Sequence, residues 1–355
     1  MIAFRFRFPG TTGNFAIRRA RSCGNPPHQQ QFLAIETAVM LLSEAISSAY
    51  LARNGPTGSR GPALMIYDVR QTTTYTYETA VTRARHVLRL LPVARERQRV
   101  TAAMLDIDPD PMSRREAVDF FGNWTTMVEL EEPHETLTVK LVARITVMPS
   151  PPARPEDTEP WENIRAQTYG TEDIGPASPV HFVYPSRQVS LDPDIRDYTG
   201  KSFAPGRPIL AGAEELMRRI KDDFIYEPGA TTVKTTPSAA FKLRRGVCQD
   251  FAHIMIAGLR GLGLPAAYVS GFLRTVPRPG RQRLEGADAM HAWMMVWCGN
   301  AGWWGLDPTN ALIASEDHLV LAIGRDYADV APVDGVVLSS GEQYLKTAVD
   351  VIPVG

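Results

Sequence analysis

Residues 244–271 read RRGVCQDFAHIMIAGLRGLGLPAAYVSG. After Cys248 the apolar residues Phe251, Ile254, Met255, Ile256, Leu259 and Leu262 follow at helical spacing, and Gly263 and Pro265 supply a stop. The spacing predicts a helix with Cys248 in its first turn. There the unpaired backbone N–H groups and the positive end of the helix dipole stabilise a thiolate, and the same N–H groups can donate to an oxyanion. A cysteine so placed is a small buried hydrophobe, a metal ligand or a nucleophile. For a metal the nearest partner is His253, but five residues at about 100° each put it roughly 140° around the helix from Cys248. The two side chains do not converge, and His253 reads as a packing histidine.

A thiolate nucleophile needs a base, and the base needs a residue that orients it. Residues 286–310 read GADAMHAWMMVWCGNAGWWGLDPTN, two aromatic-rich runs joined by Gly299, Asn300, Ala301 and Gly302, which is a hairpin signal. With a three-residue loop at 299–301, Trp293 stands opposite Asp307, and His291 lies diagonal to Asp307 on the same face. A change of one residue in the loop would put them on opposite faces. Taken singly, His291 is an edge histidine and Asp307 a turn aspartate before Pro308. Together with a cysteine at a helix start they form a Cys, His, Asp set in which each residue has the surroundings its role requires.

The stretches GVCQDFAHIMIAGLRGLGLPAAYVSGF, DAMHAWMMVW and GWWGLDPTN closely resemble the core of the transglutaminase-like superfamily, in the bacterial branch often described as cysteine proteases. The resemblance covers about residues 200–350, including HLVLAIGRDYADVAPVDGVV, and the β-rich region before it is similar to the N-terminal domain that accompanies this core in bacteria. It implies an α+β fold: an N-terminal antiparallel β-sandwich, then a papain-like core in which the cysteine helix packs on an antiparallel sheet. It also implies that Cys248 is the nucleophile, His291 the base and Asp307 the orienting residue. Animal transglutaminases carry a tryptophan directly after the cysteine, whereas this chain has Gln249 and Asp250, so their oxyanion arrangement does not transfer. Met290 stands where bacterial relatives often carry a small residue and reads as packing. Cys298 reads as a buried thiol, and Trp293, Trp297, Trp303 and Trp304 as sheet core. No cofactor and no metal is expected, calcium included, since no acidic loop of the EF-hand kind is present.

The remainder of the chain sets the frame. At 355 residues, 44% hydrophobic and with a net charge of −1, it has length for two domains with separate cores, and its balance speaks against nucleic acid or a membrane surface as partner. Three cysteines, Cys23, Cys248 and Cys298, without CxxC spacing give neither a disulfide framework nor a cysteine-rich zinc site, and fit a reducing cytoplasm. Residues 1–64 carry several arginines, no acidic side chain before Glu36 and no secretory-signal pattern; they are expected to be a disordered extension or to precede a true start at Met65. Within them, Glu36 and Glu44 make Phe32 to Ala52 an amphipathic helix rather than a membrane span.

Alternation in MIYDVRQTTTYTYETAV, QRVTAAMLDIDP, GNWTTMVELEEP and ETLTVKLVARITVMP predicts the sandwich over residues 65–150. The proline-rich, weakly periodic residues 151–200 are expected to be an interdomain linker with short turns or helices. Helical spacing resumes in AGAEELMRRIKDDFIYEP, with Leu216, Ile220 and Phe224 on one stripe, and opens the catalytic core assigned to residues 201–355.

The chemistry that follows is acyl transfer from a protein or peptide amide through a thioester. Water as acceptor gives proteolysis or deamidation, and a lysine amine gives the crosslinking of a protein-glutamine gamma-glutamyltransferase. Hydrolysis is the expected outcome. The longest insertion, LRTVPRPGRQRLEG at 273–286, is basic and proline-bearing, suited to gripping an acidic peptide rather than to sealing a groove against water. A non-catalytic binding module on the same fold is the alternative from another class; it would be favoured had one of the three residues been lost, and all three are present. Oligomeric state leaves no mark in the sequence.

Overall fold

Among the described residues, regular structure begins where the alternation begins. The computed structural model describes residues 64–275, 286 and 288–354, all within one compact unit; the expected extension thus lies outside the described residues except for Leu64. Six strands come first among the described residues: β1 (Met65–Val81), β2 (Arg83–Leu88), β3 (Gln98–Asp108), β4 (Ser113–Val118), β5 (Trp124–Leu130) and β6 (His134–Val147). β6 pairs antiparallel with β1 and β3, and β5 with β2 and β4. In β1 the alternate residues Tyr67, Val69, Gln71, Thr73 and Tyr77 are buried, as expected of a strand with one face on a core. The two sheets share one apolar core, with Leu105 and Ile107 from β3, Leu137 to Ile145 from β6, Leu88 from β2, and Val128 and Leu130 from β5.

Residues 151–200 do more than link. They hold α1 (Trp161–Tyr169) and α2 (Pro193–Gly200), and Ile164, Val189, Ile195 and Tyr198 are buried in the same apolar core as the cysteine-bearing helix. The short helices agree with the expected linker of short turns or helices, while their burial goes beyond it; each piece delivers only one or two anchors, too few for a period to show. Asp192 caps α2, accepting from the N–H groups of Asp194 and Ile195, with Pro193 at the first helical position.

Next come α3 (Ile209–Asp223), β7 (Ile225–Tyr226), α4 (Pro237–Leu243), β8 (Arg245–Gly246) and α5 (Cys248–Gly261). The predicted stripe of Leu216, Ile220 and Phe224 is buried. α5 has twelve of its fourteen residues buried and packs on a five-stranded antiparallel sheet. That sheet comprises β9 (Ala266–Leu273), β10 (Ala289–Trp297), β11 (Trp303–Asp307), β12 (Leu312–Ile313) and β13 (His318–Gly324), in the order β12-β11-β10-β9-β13. The backbones of α2 and α5 come close at Gly258, where a Cβ would fall 1.9 Å from Thr199 Oγ1.

The free edge of β13 is covered by two amide side chains of the β region. Gln98 donates to Val320 O and accepts from Val320 N–H, each at 2.8 Å; Asn123 does the same at Ile323, again at 2.8 Å for both bonds. Positions three apart normally face opposite edges of a strand. A bulge between Val320 and Ala322 brings both to one edge. Phe272, Leu319 and Leu321 add the sheet's apolar side chains to the core of the sandwich.

After α6 (Tyr327–Val330), the chain returns to the β region with β14 (Val333–Leu338) and β15 (Gln343–Val354). β14 pairs with β2, and β15 with β1 along twelve residue pairs, burying Val349 and Val351. The core assigned to residues 201–355 therefore ends sooner, and each sheet of the sandwich takes one strand from the far end of the chain. Pairing at such sequence separation has no local signature. No helix among the described residues is long and apolar enough to cross a membrane.

Candidate active site

Cys248 is half-buried at the first position of α5, where the sequence places it. Val247 is the extended residue before the helix, and its N–H donates to Asp250 Oδ2 at 2.8 Å. Asp250 thereby closes the helix start from within. Its carboxylate also accepts from Thr231 Oγ1 at 2.6 Å, and Gln249 Nε2 donates to Val233 O at 3.2 Å. The two residues that replace the tryptophan of the animal enzymes thus fasten the 231–233 segment beside the cysteine. Gly246 permits this packing, because a Cβ there would lie 2.6 Å from Asp250 Oδ2.

The hairpin has the register that its loop length predicts. Residues 299–301 form a single 3-10 turn, Trp297 pairs with Trp303 and Met294 with Leu306. His291 and Asp307 fall on one face, and His291 Nε2 lies 2.8 Å from Asp307 Oδ2. Nδ1 lies on the other side of the ring, and Cys248 is near enough for its charge to act on the imidazole. Directly opposite His291 stands Gly271; a Cβ there would come within 2.1 Å of Leu319 O and 2.6 Å of the Trp293 ring. Its missing side chain lets the buried Trp293 ring lie alongside His291, with centroids 6.1 Å apart.

Asp307 is fully buried and well supplied with donors. Oδ1 accepts from the N–H groups of Thr309 at 2.9 Å and Asn310 at 3.3 Å, so the Asp-Pro turn expected from the sequence holds the carboxylate from behind. Oδ2 accepts from His291, from Asn310 Nδ2 at 2.7 Å and from His318 Nε2 at 3.3 Å. Burial works to raise the Asp307 carboxyl, but the bonds from His291, His318 and Asn310 outweigh it and hold it well below the usual carboxylate range. For His291 burial works downward, and the hydrogen bonds and charges of Asp307 and Cys248 reverse this, raising the imidazolium to about 10.

Asn310 and His318 were not singled out by the sequence, although both stand in the quoted motifs. The signal that could have found His318 is a histidine opening an alternating strand, HLVLAIG. His291, Asp307 and His318 also form the one group of ligand-type side chains found among the described residues that could surround a metal, their ligand atoms lying within 4.8 Å of one another. The His291–Asp307 pair has the geometry of a hydrogen bond. Tetrahedral zinc with ligands at about 2.0–2.1 Å holds them roughly 3.3 Å apart, wider than the 2.8 Å between His291 and Asp307. In addition, Ser315 N–H points at His318 Nδ1, 3.5 Å away, which makes Nε2 a donor rather than a lone-pair ligand.

The other singled-out residues lie elsewhere. His253 is buried against Tyr268, ring centroids 4.9 Å apart, and its Nε2 accepts from Tyr327 N–H at 3.2 Å; burial pushes its pKa down to about 4. Cys298 is buried, and burial pushes its thiol pKa up. Met290 packs against the core of the sandwich. Most of the 273–286 insertion, residues 276–285, lies outside the described residues.

Comparison with known proteins bears on the family and the fold. Residues 67–147 match the family model for the bacterial transglutaminase-like N-terminal region, and residues 197–308 that for the transglutaminase-like superfamily. An uncharacterized protein of Mycobacterium tuberculosis is 37% identical over 295 residues, spanning 81% of this chain and 92% of its own length. A protein-glutamine gamma-glutamyltransferase of Pseudomonas aeruginosa is 32% identical over 111 residues, 29% of this chain and 17% of its own. Among solved structures, one titled "Putative Cysteine Protease from Cytophaga hutchinsonii" superposes with a TM-score of 0.65 at 20% identity, covering 82% of this chain and 92% of that one. At that identity the likeness speaks for the fold.

Proposed function

The chain belongs to the transglutaminase-like superfamily, and from that premise we propose that it is an enzyme that cleaves protein or peptide amides, as a protease or deamidase, with Cys248, His291 and Asp307 as its catalytic triad. The observation that supports the reading is the His291 ring, bound through Nε2 to a buried Asp307 at 2.8 Å and close enough to the helix-start cysteine to feel its charge. Cys248 Sγ, as thiolate, attacks the amide carbonyl carbon. The N–H groups of the first turn of α5, which have no carbonyl partner within the helix, receive the oxyanion. His291 gives its Nδ1 proton to the leaving nitrogen as the C–N bond breaks, and a thioester remains. Water, losing a proton to Nδ1, then attacks the thioester carbonyl; the C–S bond breaks, the acid leaves and the thiolate is restored.

Water is the default acceptor for a thioester open to solvent. The similarity to a protein-glutamine gamma-glutamyltransferase supports amine transfer as the second reading. Incubation with glutamine-containing peptides and a labelled primary amine, read by mass spectrometry, separates the two. Peptide cleavage or glutamate formation is expected, and amine incorporation without either would replace hydrolysis by crosslinking. A Cys248 that alkylates no faster than a free thiol at neutral pH would remove the nucleophile itself. A cytoplasmic setting, suited to free thiols, is part of the proposal.

A further inference from the structure

His318 enters the site from outside the cysteine helix and the hairpin. It opens β13, pairs with Leu273 of β9, and is 6% exposed. Its ring meets Trp293 edge-on, with centroids 5.2 Å apart, and stands 6.3 Å from the His291 ring. Both nitrogens are committed. An ionised carboxylate only accepts, so Nε2, 3.3 Å from Asp307 Oδ2, carries the hydrogen; Ser315 N–H faces Nδ1 at 3.5 Å, so Nδ1 presents its lone pair. An imidazole in this tautomer thus donates to the same oxygen that holds His291. The titratable groups recorded facing it are Asp307, His291 and Glu316.

We propose that His318 is a positioning residue for the acyl transfer put forward above: its Nε2–H takes up part of the Asp307 negative charge and so sets how tightly that carboxylate grips His291. The carboxylate needs no help in staying oriented, since two backbone N–H groups and Asn310 already hold it. A third donor on Oδ2 leaves less charge for His291. Without it the bond to the imidazolium strengthens, and His291 becomes slower to release its proton to a leaving amine.

The inference rests on the acyl-transfer reading, and its test is separable from it. The imidazole titrations of the full-length wild type, His318→Phe, His318→Asn and His318→Gln are followed by NMR on histidine-labelled protein, a readout that needs no turnover. Phe removes the donor, and Asn carries its amide where Nδ1 stands, too short for Asp307. Gln places an N–H near the Nε2 position. The His291 midpoint is expected to rise in the Phe and Asn variants and to return toward wild type in Gln; should Phe fail to fold, the Asn and Gln pair carries the comparison. With peptide substrate, kcat is expected to fall about tenfold at unchanged KM in the first two and to recover in the third. A folded Phe or Asn variant whose His291 midpoint is unchanged or lower overturns the proposal. A wild type with an ordinary, slow Cys248 overturns the acyl-transfer reading instead, whatever the midpoints do.

Discussion

Replacing Asp307 by asparagine alters one atom and the charge of the most deeply buried polar group in the site. Five hydrogen bonds reach its two oxygens. If the amide oxygen keeps the Thr309 and Asn310 N–H groups, the new NH2 confronts three donors, from His291, His318 and Asn310. His291 can answer only by moving its proton to Nδ1, the nitrogen needed to take the proton of Cys248. The scale can be worked out. Holding His291 at about 10 against its ordinary 6.5 amounts to about 5 kcal/mol in favour of the imidazolium, at 1.36 kcal/mol per pKa unit. Asp307 and Cys248 provide it jointly; if half belongs to Asp307, about 2–3 kcal/mol is lost, on the order of 10²-fold in rate. The wrong tautomer adds to this, and the analogous exchange in serine proteases costs about 10⁴ in kcat. We expect kcat/KM to fall at least about 10³-fold with cooperative unfolding retained, measured by steady-state peptide turnover alongside thermal melting. A folded Asp307→Asn enzyme within tenfold of wild type would refute the reasoning, since it would mean that the 2.8 Å contact has no part in the reaction.

Other outcomes follow from the same coordinates. The His291 proton, held in the folded state to about 10, contributes stability that is full below about pH 6.5 and lost as pH rises toward 10; the difference in unfolding free energy between wild type and His291→Phe should shrink across that window, and a constant difference would contradict it. Gln98→Ala and Asn123→Ala each strip the β13 edge of two bonds and should cost about 1–3 kcal/mol by urea denaturation, with m-values unchanged. Gly258→Ala forces a Cβ onto Thr199 Oγ1 at 1.9 Å and Thr199 Cβ at 3.0 Å, so it should lower Tm clearly. Thr199→Ala should restore part of that loss and not all, because the second contact persists.

What was legible in the sequence was local. The cysteine at a helix start is announced by its own apolar spacing and glycine stop, and the His291–Asp307 contact follows from the length of one loop, since a hairpin's register is set within a dozen residues. His318 was not legible, because β13 reaches the site by pairing with β9 across 45 residues and through a bulge. The anchors in residues 151–200 escaped for a related reason: Ile164, Val189 and Ile195 each pack on distant helices and share no period. The same limit hid β14 and β15, whose exposed side chains, Val336, Leu338, Tyr344 and Leu345 among them, blur the alternation expected of a half-buried strand.

The return of those two strands governs how the protein is born. β1 has β6 beside it early, and β2 has β5, but their remaining edges wait for β15 and β14. Residues 148–332 must leave the ribosome first; at about 5–20 residues per second that interval is on the order of 10–40 seconds. Throughout it, a nascent chain displays two open strand edges, one of them long and β-branched, of the kind that recruits neighbouring chains on a polysome. The β region is therefore made before the transglutaminase-like core and closed after it, and chaperone demand during synthesis should track the time taken to translate the stretch between its strands.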